Sequence, residues 1–162
     1  MELKSVRVSI PEGANIVLGQ AHFIKTVEDL YEILAGASPH IRFGVAFSEA
    51  SGPCLIRCEG NDDDLTRTAA GILQQVAAGH VFAVLIREAF PINVLNAIKM
   101  CPEVCGIYCA TANPLEVVVA ETEQGRGVLG VVDGASPKGV EGDSEKASRK
   151  ALLRNFGYKV KS

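Results

Sequence analysis

Residues 80–86 (HVFAVLI) form a continuous apolar run rich in Val, Leu and Ile. A run of this length without polar alternation is typical of a central strand that is covered on both faces. Two covered faces require packed elements on each side of the sheet. The run therefore predicts an α/β domain with this strand at its centre.

The length and composition fit one such domain. The chain has 162 residues, 48% hydrophobic and 22% charged, which excludes an intrinsically disordered chain. Its net charge of −3 is opposite in sign to that of most proteins that bind nucleic-acid backbones. No segment approaches the roughly 18 consecutive apolar residues of a membrane span, and residues 1–4 begin no signal peptide. We expect a cytoplasmic protein with no nucleic-acid and no membrane partner.

Strands and helices are predicted to alternate along the chain. Besides the central run, strands are predicted at 3–10, 41–48, 54–59, 104–111, 115–123 and 127–133, and residues 15–25 are predicted to be extended. Helices are predicted from 26 to about 35, from the Asp-rich run 61–64 to Gly79, from 91 to about 100, and over 144–157. The second helix has an apolar stripe of Leu65, Ala69, Ile72, Leu73 and Val76. Thr26 and Ser144 are predicted N-caps, and Pro91 suits the first helical position.

The two halves of the chain, about 15–79 and 80–157, contain the same order of helix, proline, glycine and strands. The shift between the corresponding glycines, Gly44 and Gly106, is 62 residues. This pattern predicts a duplicated β-α-β-β unit within a single three-layer-like domain with a mixed sheet. A cleft between such halves is a common place for a ligand.

The chain contains five cysteines: Cys54, Cys58, Cys101, Cys105 and Cys109. The last three are four residues apart, which suggests a metal or iron–sulfur site, but such sites usually use tighter C-x2-C pairs. Free cysteine is also among the most buried residue types. We therefore expect reduced core cysteines in a reducing compartment and no metal ligated by the chain.

Residues 125–131 (GRGVLGV) match the pattern G-x-G-x-x-G. The dinucleotide-binding form of this pattern must run from a strand into a helix, whereas strands are predicted on both sides here. A glycine-rich β-hairpin is the simpler interpretation. Arg126 can still contact a phosphate, because its guanidinium offers two parallel donors.

Charged residues end two of the predicted apolar strands. Arg87 and Glu88 follow the central run, and Asp133 ends the strand 127–133. Ligands of α/β sheets gather beyond the carboxyl ends of strands, and ionised side chains there are often functional. The alternatives are a salt bridge at the domain rim for Arg87 and Glu88, and an Asp-Gly turn for Asp133.

Two loops carry further candidate residues. Asn113 precedes Pro114 in a turn between strands, and Lys138 lies in the glycine-rich loop 134–143. The loop composition suits either a lid that brings Lys138 to a phosphate or a loose connector. Residues 138–162 carry seven Lys or Arg against three Asp or Glu, a balance of +4 that leaves −7 for residues 1–137. This basic end is either a solvated helix face or a surface that meets an anion or a neighbouring subunit.

Several longer strings resemble the small archaeal and bacterial family of adenosine-specific kinases. They are residues 80–99, 109–134, 136–141 and 152–159, and the most distinctive are TANP at 111–114 and GRGVLGVVDG at 125–134. The resemblance covers nearly the whole chain. It implies a single α/β domain that binds adenosine or AMP and assembles as a homo-oligomer, a trimer. The family's name implies transfer of the terminal phosphoryl group of ATP to adenosine.

Under the kinase hypothesis, phosphoryl transfer needs positioning and positive charge more than covalent chemistry. Arg126, Lys138 and Arg87 are then predicted to clamp phosphates. Asp133, with Glu121 or Glu123, is predicted to hold Mg²⁺ or to orient the 5′-hydroxyl. Asn113 is predicted to contact ribose or base, and Glu88 is a further candidate for substrate binding. The rival hypotheses are a non-catalytic adenosine or AMP binding protein and an oligomeric scaffold.

Overall fold

The computed structural model describes residues 1–161, which form eight strands and four helices. The strands are β1 (Glu2–Val8), β2 (Asn15–Ala21), β3 (Arg42–Ser48), β4 (Ile56–Gly60), β5 (Val81–Arg87), β6 (Val104–Thr111), β7 (Leu115–Glu121) and β8 (Arg126–Asp133). The helices are α1 (Thr26–Ala37), α2 (Asp63–Val76), α3 (Pro91–Lys99) and α4 (Asp143–Asn155). None of the helices in this part of the chain is both long and apolar enough to cross a bilayer.

The strands form two sheets, in the orders β4-β3-β5-β2-β6 and β1-β7-β8. As the apolar run predicted, β5 lies in the middle of the larger sheet, and all six of its residues from Val81 to Ile86 are buried. Helix α1 connects β2 to β3, and β5 lies between these two strands in the sheet. Helix α3 connects β5 to β6, and β2 lies between those two strands. The two β-α-β connections are therefore interlocked.

Three layers build the domain, and alternate residues of β5 face different ones. Phe82, Val84 and Ile86 pack in a core with α1 and α3, whereas Val81, Ala83 and Leu85 pack in a core with α2 and the three-stranded sheet. The single layered α/β domain predicted from the sequence is confirmed. The sheets differ from the predicted mixed sheet, because every strand pair within them is antiparallel. The duplicated unit stays a prediction, since β7 and β8 pair with β1 and do not extend the larger sheet.

The helix ends follow the sequence in part. Asp62 caps α2 by accepting a hydrogen bond from the Leu65 amide at 3.0 Å, and Pro91 is the first residue of α3, as predicted. The two other predicted caps are wrong. Thr26 already lies inside α1 and donates its hydroxyl to the Phe23 carbonyl, and α4 begins after Gly142, whose amide donates to Glu145 at 2.9 Å.

Candidate functional site

A cleft of about 780 Å³ opens beside the C-terminal end of α2. Its walls are the segment after β3, the residues that follow α2, and the β7–β8 hairpin. The polar residues that line it include Ser48, Glu49, Gln74, Thr122, Gln124 and Arg126. This volume lies within the range of about 300–1,000 Å³ that is usual for small-molecule sites.

Arg126 forms one wall of this cleft, which we call the Arg126 cleft. Its Nη1 donates to the carbonyl oxygens of Gln75 and Val76 at 3.2 and 3.4 Å, and its Nε lies 3.4 Å from Glu121. The last carbonyls of a helix carry partial negative charge, so a cation is stabilised there. The side chain is only 21% exposed, and its Nη2 is not used in these contacts. The guanidinium is therefore fixed at the cleft wall with donor capacity to spare.

The backbone around the Arg126 cleft is strained. Cys54 and Ala77 line the cleft with φ angles of 51° and 53°, and His80, next to the lining residue Gly79, has a φ of 60°. Residues other than glycine rarely adopt this left-handed conformation, and when they do they tend to cluster at functional sites. Among the described residues, Glu88 is the one further residue other than glycine that has this conformation. The strain is a second reason to regard this cleft as the functional one.

Both carboxylates at the cleft are held by cations. Glu121 is bonded to Lys4 as well as to Arg126, and the Lys4 hydrogen bond is the main cause of its lowered pKa. Glu49 accepts from the Leu55 amide at 2.8 Å and pairs with Arg57 at 2.8 Å, and these contacts lower its pKa in that order of importance. The two carboxylates are thus ionised but already have partners.

A second polar cluster surrounds Asp133. Its Oδ1 accepts hydrogen bonds from the Thr111 hydroxyl at 2.7 Å and from the Asn113 amide at 3.3 Å. A cavity of about 340 Å³ lies alongside, lined in part by Pro114 and Gly134. Only these neutral donors hold Asp133 among the hydrogen bonds of residues 1–161, so its charge is not neutralised by a neighbouring cation.

Arg87 and Glu88 lie at the same end of the molecule as Asp133. Ile16 is paired with both Leu85 of β5 and Thr111 of β6, which places the ends of these two strands on one edge of the sheet. Arg87 donates to the Glu12 carbonyl at 3.1 Å, and neither it nor Glu88 takes part in an ion pair within the described residues. The rim salt bridge considered for this pair is therefore not formed. We call this region the Asp133 end.

The two regions are well separated within one chain. Arg126 begins β8 and pairs with Glu121, whereas Asp133 ends the same strand and pairs with Leu115. At roughly 3.3 Å per residue, their Cα atoms lie on the order of 20 Å apart along the strand. Within a single chain the predicted site residues therefore do not share one pocket. Arg126 lies with Glu121, and Asp133 lies with Asn113, Arg87 and Glu88.

The remaining candidates lie on exposed segments. Glu123 is in the turn between β7 and β8, and Lys138 is in the loop between β8 and α4, five residues after Asp133. Neither lines the Arg126 cleft. The glycine-rich pattern is a β-hairpin, as predicted: the Thr122 amide donates to the Gly125 carbonyl at 2.8 Å, and a strand follows directly.

Sequence reasoning missed the cleft residues that precede β5. Ser48 ends β3 and Glu49 follows it, and Gln74 and Ala77 come from the last turn of α2 and its C-cap. Their only local signal is the Ser-Gly-Pro loop at 51–53, which marks a sharp chain reversal after a buried strand. The cleft itself exists because α2 ends beside the β7–β8 hairpin, far away in sequence.

A buried ionic network lies outside both regions, where β6 begins. Glu103 is 4% exposed and accepts from the Cys101 thiol at 2.8 Å and from Lys25 at 2.9 Å, while Lys25 also bonds to Asp29. Burial works to raise the pKa of Glu103, but these donors outweigh it and hold the value at about 2. Three of these groups are close enough to hold a metal ion, but the Lys25 ammonium already supplies the positive charge.

All five cysteines are free thiols. Cys101 and Cys109 are buried, whereas Cys54 and Cys105 are exposed, so the expected core location holds for only part of the set. Burial raises the pKa of both buried thiols to about 11. At neutral pH these two are therefore protonated and behave as small apolar side chains.

Comparisons with known proteins agree with the resemblance seen in the sequence. A family model described as adenosine-specific kinase matches residues 6–159. The crystal structure of the PH1918 protein from Pyrococcus horikoshii OT3 is similar to this chain, with a TM-score of 0.94 and 45% identity over 99% of each chain. A search of curated proteins found no match.

Proposed function

Because the chain belongs to the adenosine-specific kinase family, we propose that it binds adenosine or AMP in the Arg126 cleft and transfers the terminal phosphoryl group of ATP to adenosine. The observation that carries this proposal is the partly buried Arg126 guanidinium, fixed in the wall of a cleft large enough for a nucleoside. A fixed cation in a partly dry site is what phosphoryl transfer needs most.

In this reaction the 5′-hydroxyl oxygen of adenosine forms a bond to the γ-phosphorus of ATP. The bond between that phosphorus and the β,γ-bridging oxygen breaks, ADP leaves, and the hydroxyl proton passes to a base. Arg126 stabilises the transferred phosphoryl group, because the oxygens of this group carry negative charge in the transition state. The neutral polar groups of Ser48, Gln74 and Thr122 are the donors and acceptors available to ribose and base in the same cleft.

We propose that Asp133 and Lys138 act in catalysis from a second copy of the chain. In one chain they lie at the end of β8 opposite to Arg126, so they reach the cleft only across a subunit boundary. Head-to-tail contacts in a closed ring, such as a trimer, bring opposite ends of neighbouring chains together. Asn113, Arg87 and Glu88 then contact the substrate from the same side as Asp133.

The carboxylates of the cleft do not fit a Mg²⁺ site. Glu49 and Glu121 are committed to cations and amides, and Glu121 and Asp133 are too far apart in one chain to share an ion. ATP brings Mg²⁺ on its own phosphates, where the ion neutralises charge. We therefore assign no residue of the cleft to Mg²⁺.

A mixing experiment tests the shared site. Arg126→Ala and Asp133→Asn chains are each assayed alone for adenosine-dependent ADP production, and then mixed and allowed to exchange subunits. A site shared between copies restores activity in the mixture, because some interfaces then combine one intact Arg126 with one intact Asp133. A mixture that stays as inactive as its components contradicts the shared site.

The second candidate function is adenosine or AMP binding without catalysis. It is favoured by the ion pairs of Glu49 and Glu121. Within the described residues of one chain, neither carboxylate at the cleft is free to accept a proton. If adenosine raises the Tm while no ADP forms from ATP, the binding protein is correct and the kinase is not. If neither adenosine nor AMP changes the Tm, the oligomeric scaffold is the remaining hypothesis. The five free thiols suit a reducing compartment, so we place either function in the cytoplasm.

A further inference from the structure

The last helix of the chain is unpartnered. None of the 13 residues of α4 is buried, whereas α2 buries five of its 14. Isolated helices shorter than about 12–15 residues are marginal in water and depend on packing for their stability. A surface outside this chain must therefore cover α4 if it is to persist as a helix.

The part of the chain that carries α4 is already organised as a unit, residues 138–161, which we call the arm. Arg149 of α4 binds Glu141 through two hydrogen bonds of 2.7 and 3.1 Å, and Glu145 accepts from the Gly142 amide at 2.9 Å. Leu152 and Phe156, four residues apart and 50% and 65% exposed, form an apolar stripe on one side of the helix. The arm is thus a preformed unit with an uncovered apolar side.

An apolar surface of matching character lies on the three-stranded sheet. On the face opposite to the core, Leu3, Leu129 and Val132 are 65%, 63% and 48% exposed; we call these residues the outer sheet face. Gly127 and Gly130 flank Leu129, and a Cβ atom added at either glycine meets nothing within 4 Å. The two glycines therefore leave the backbone of this face uncovered, so that a helix can approach it closely.

Net charge favours a second copy of this chain as the covering surface. The arm carries a balance of +4 and residues 1–137 carry −7, so the arm of one copy is attracted over long range to the body of another. Nine residues separate β8 from α4, a span of up to about 30 Å when extended. That length is enough for α4 to reach beyond its own subunit.

We propose that Leu152 and Phe156 of one chain pack on the outer sheet face of a second copy of this chain. The contact joins two different surfaces, and contacts of this head-to-tail type build a ring from identical subunits when the rotation between neighbours closes. It rests on the homo-oligomer of the proposed function and deepens it by naming the contact. The Arg126 side of the adenosine site does not depend on this contact, because the Arg126 cleft is formed within one chain.

The test compares the mass of the assembly, by light scattering after gel filtration, among four proteins. They are the wild type, the double variant Leu152→Glu/Phe156→Glu, the face variant Leu129→Glu, and a control, Ile92→Glu, at a 66% exposed apolar residue of α3 in another layer. We expect the wild type and the control to be oligomers, and both the double variant and the face variant to have the mass of one chain. A monomeric wild type overturns the proposal, and it is the result expected if the arm binds some other partner. Variants that keep the wild-type mass also overturn it.

Cross-linking covers the case in which a charged variant fails to fold. Phe156→Cys and Leu129→Cys chains with different tags, both carrying Cys54→Ser and Cys105→Ser, are mixed and oxidised with diamide. A disulfide between the two tagged chains is expected, and its absence overturns the contact. The Tm shift with adenosine is measured on the same proteins. A shift that persists without the cross-link shows that the arm contact has failed while the proposed ligand site has not.

Discussion

The two ends of the β7–β8 hairpin differ in how their charged side chains are held. At the Arg126 cleft, Glu121 binds both Arg126 and Lys4, and Glu49 is paired with Arg57. At the Asp133 end, Asp133 is held by neutral donors, and Arg87 and Glu88 form no ion pair within residues 1–161.

This difference separates charged groups that can position a substrate from charged groups that can take part in the reaction. A charge already paired in the folded chain contributes a fixed electrostatic field, whereas an unpaired carboxylate is free to accept a proton or to bind a cation. The Arg126 cleft therefore has the features of a binding site. The Asp133 end has the features of a catalytic site, because its carboxylate is not paired with a cation.

Replacing Asp133 with Asn gives the largest expected effect. The amide keeps an oxygen to accept the Thr111 hydrogen bond but cannot accept a proton, so the turnover of ATP and adenosine should fall by at least about 100-fold. The affinity for adenosine, measured by calorimetry, should change less than about twofold, since Asp133 contributes its charge to chemistry only. An unchanged turnover removes Asp133 from the reaction.

Replacing Arg126 with Ala should weaken AMP binding as well as slow turnover, because the same guanidinium serves the bound phosphate and the transferred phosphoryl group. Hydrogen bonds to a charged group contribute about 1.5–3 kcal/mol, so the affinity for AMP should fall roughly 10- to 100-fold. The matched control is Arg67→Ala, at an exposed arginine of α2 that pairs only with Asp64. If both variants bind AMP as the wild type does, the ligand does not lie in the Arg126 cleft.

Acid should destabilise the fold through Glu103, which lies at the cleft end of the larger sheet, where β6 begins. Its pKa is lowered from 4.5 to about 2, so the network stabilises the fold above pH 4.5 and this contribution is lost as the pH falls toward 2. Lys25→Met should lower the free energy of unfolding at pH 7 and shift acid unfolding to higher pH, because Glu103 then loses the cation that favours its ionised form.

The control for this variant is Lys99→Met, which removes a lysine of α3 that forms no ion pair within the described residues. Urea unfolding at several pH values measures both proteins. If Lys25→Met and Lys99→Met have the same pH profile, the network does not contribute to acid stability.

Strain gives the smallest expected effect and occurs at both ends. Ala77 at the cleft and Glu88 at the Asp133 end have φ angles of 53° and 60°. Glycine adopts this conformation freely, and the cost in unfolded-state entropy offsets part of the gain, so Ala77→Gly and Glu88→Gly should each stabilise the fold by about 0.5–1 kcal/mol. Thermal unfolding measures this difference, and a lowered Tm in either variant shows that its side chain stabilises the fold.

Local periodicity predicted several elements correctly. The apolar run became the buried strand β5, and the five residues of the predicted stripe are the five buried residues of α2. These features follow from the repeat of apolar residues along one element, which a sequence shows directly. The predicted caps at Thr26 and Ser144 were wrong because α1 begins one residue and α4 two residues earlier than a cap at these positions requires, and helix ends are set less sharply by sequence than helix interiors.

The site was harder to predict because it depends on strand direction. The rule that ligands gather at the carboxyl ends of strands applies to parallel sheets, in which these ends share an edge. In an antiparallel hairpin the carboxyl end of one strand lies beside the amino end of the next, so Asp133 lies next to Leu115, and Arg126 next to Glu121. The distance between Arg126 and Asp133 was already implicit in the predicted strand 127–133, since Arg126 directly precedes this strand and Asp133 ends it.

The sequence by itself determined the family, the layered α/β class and the faces of β5 and α2 that are buried, because motifs and apolar periodicity are local properties of a chain. Only the tertiary structure decided that β1 pairs with β7, that the end of α2 meets the β7–β8 hairpin to form the cleft, and that α4 buries none of its residues against the described part of the chain. These outcomes depend on contacts between residues far apart in sequence, which packing of the whole chain selects.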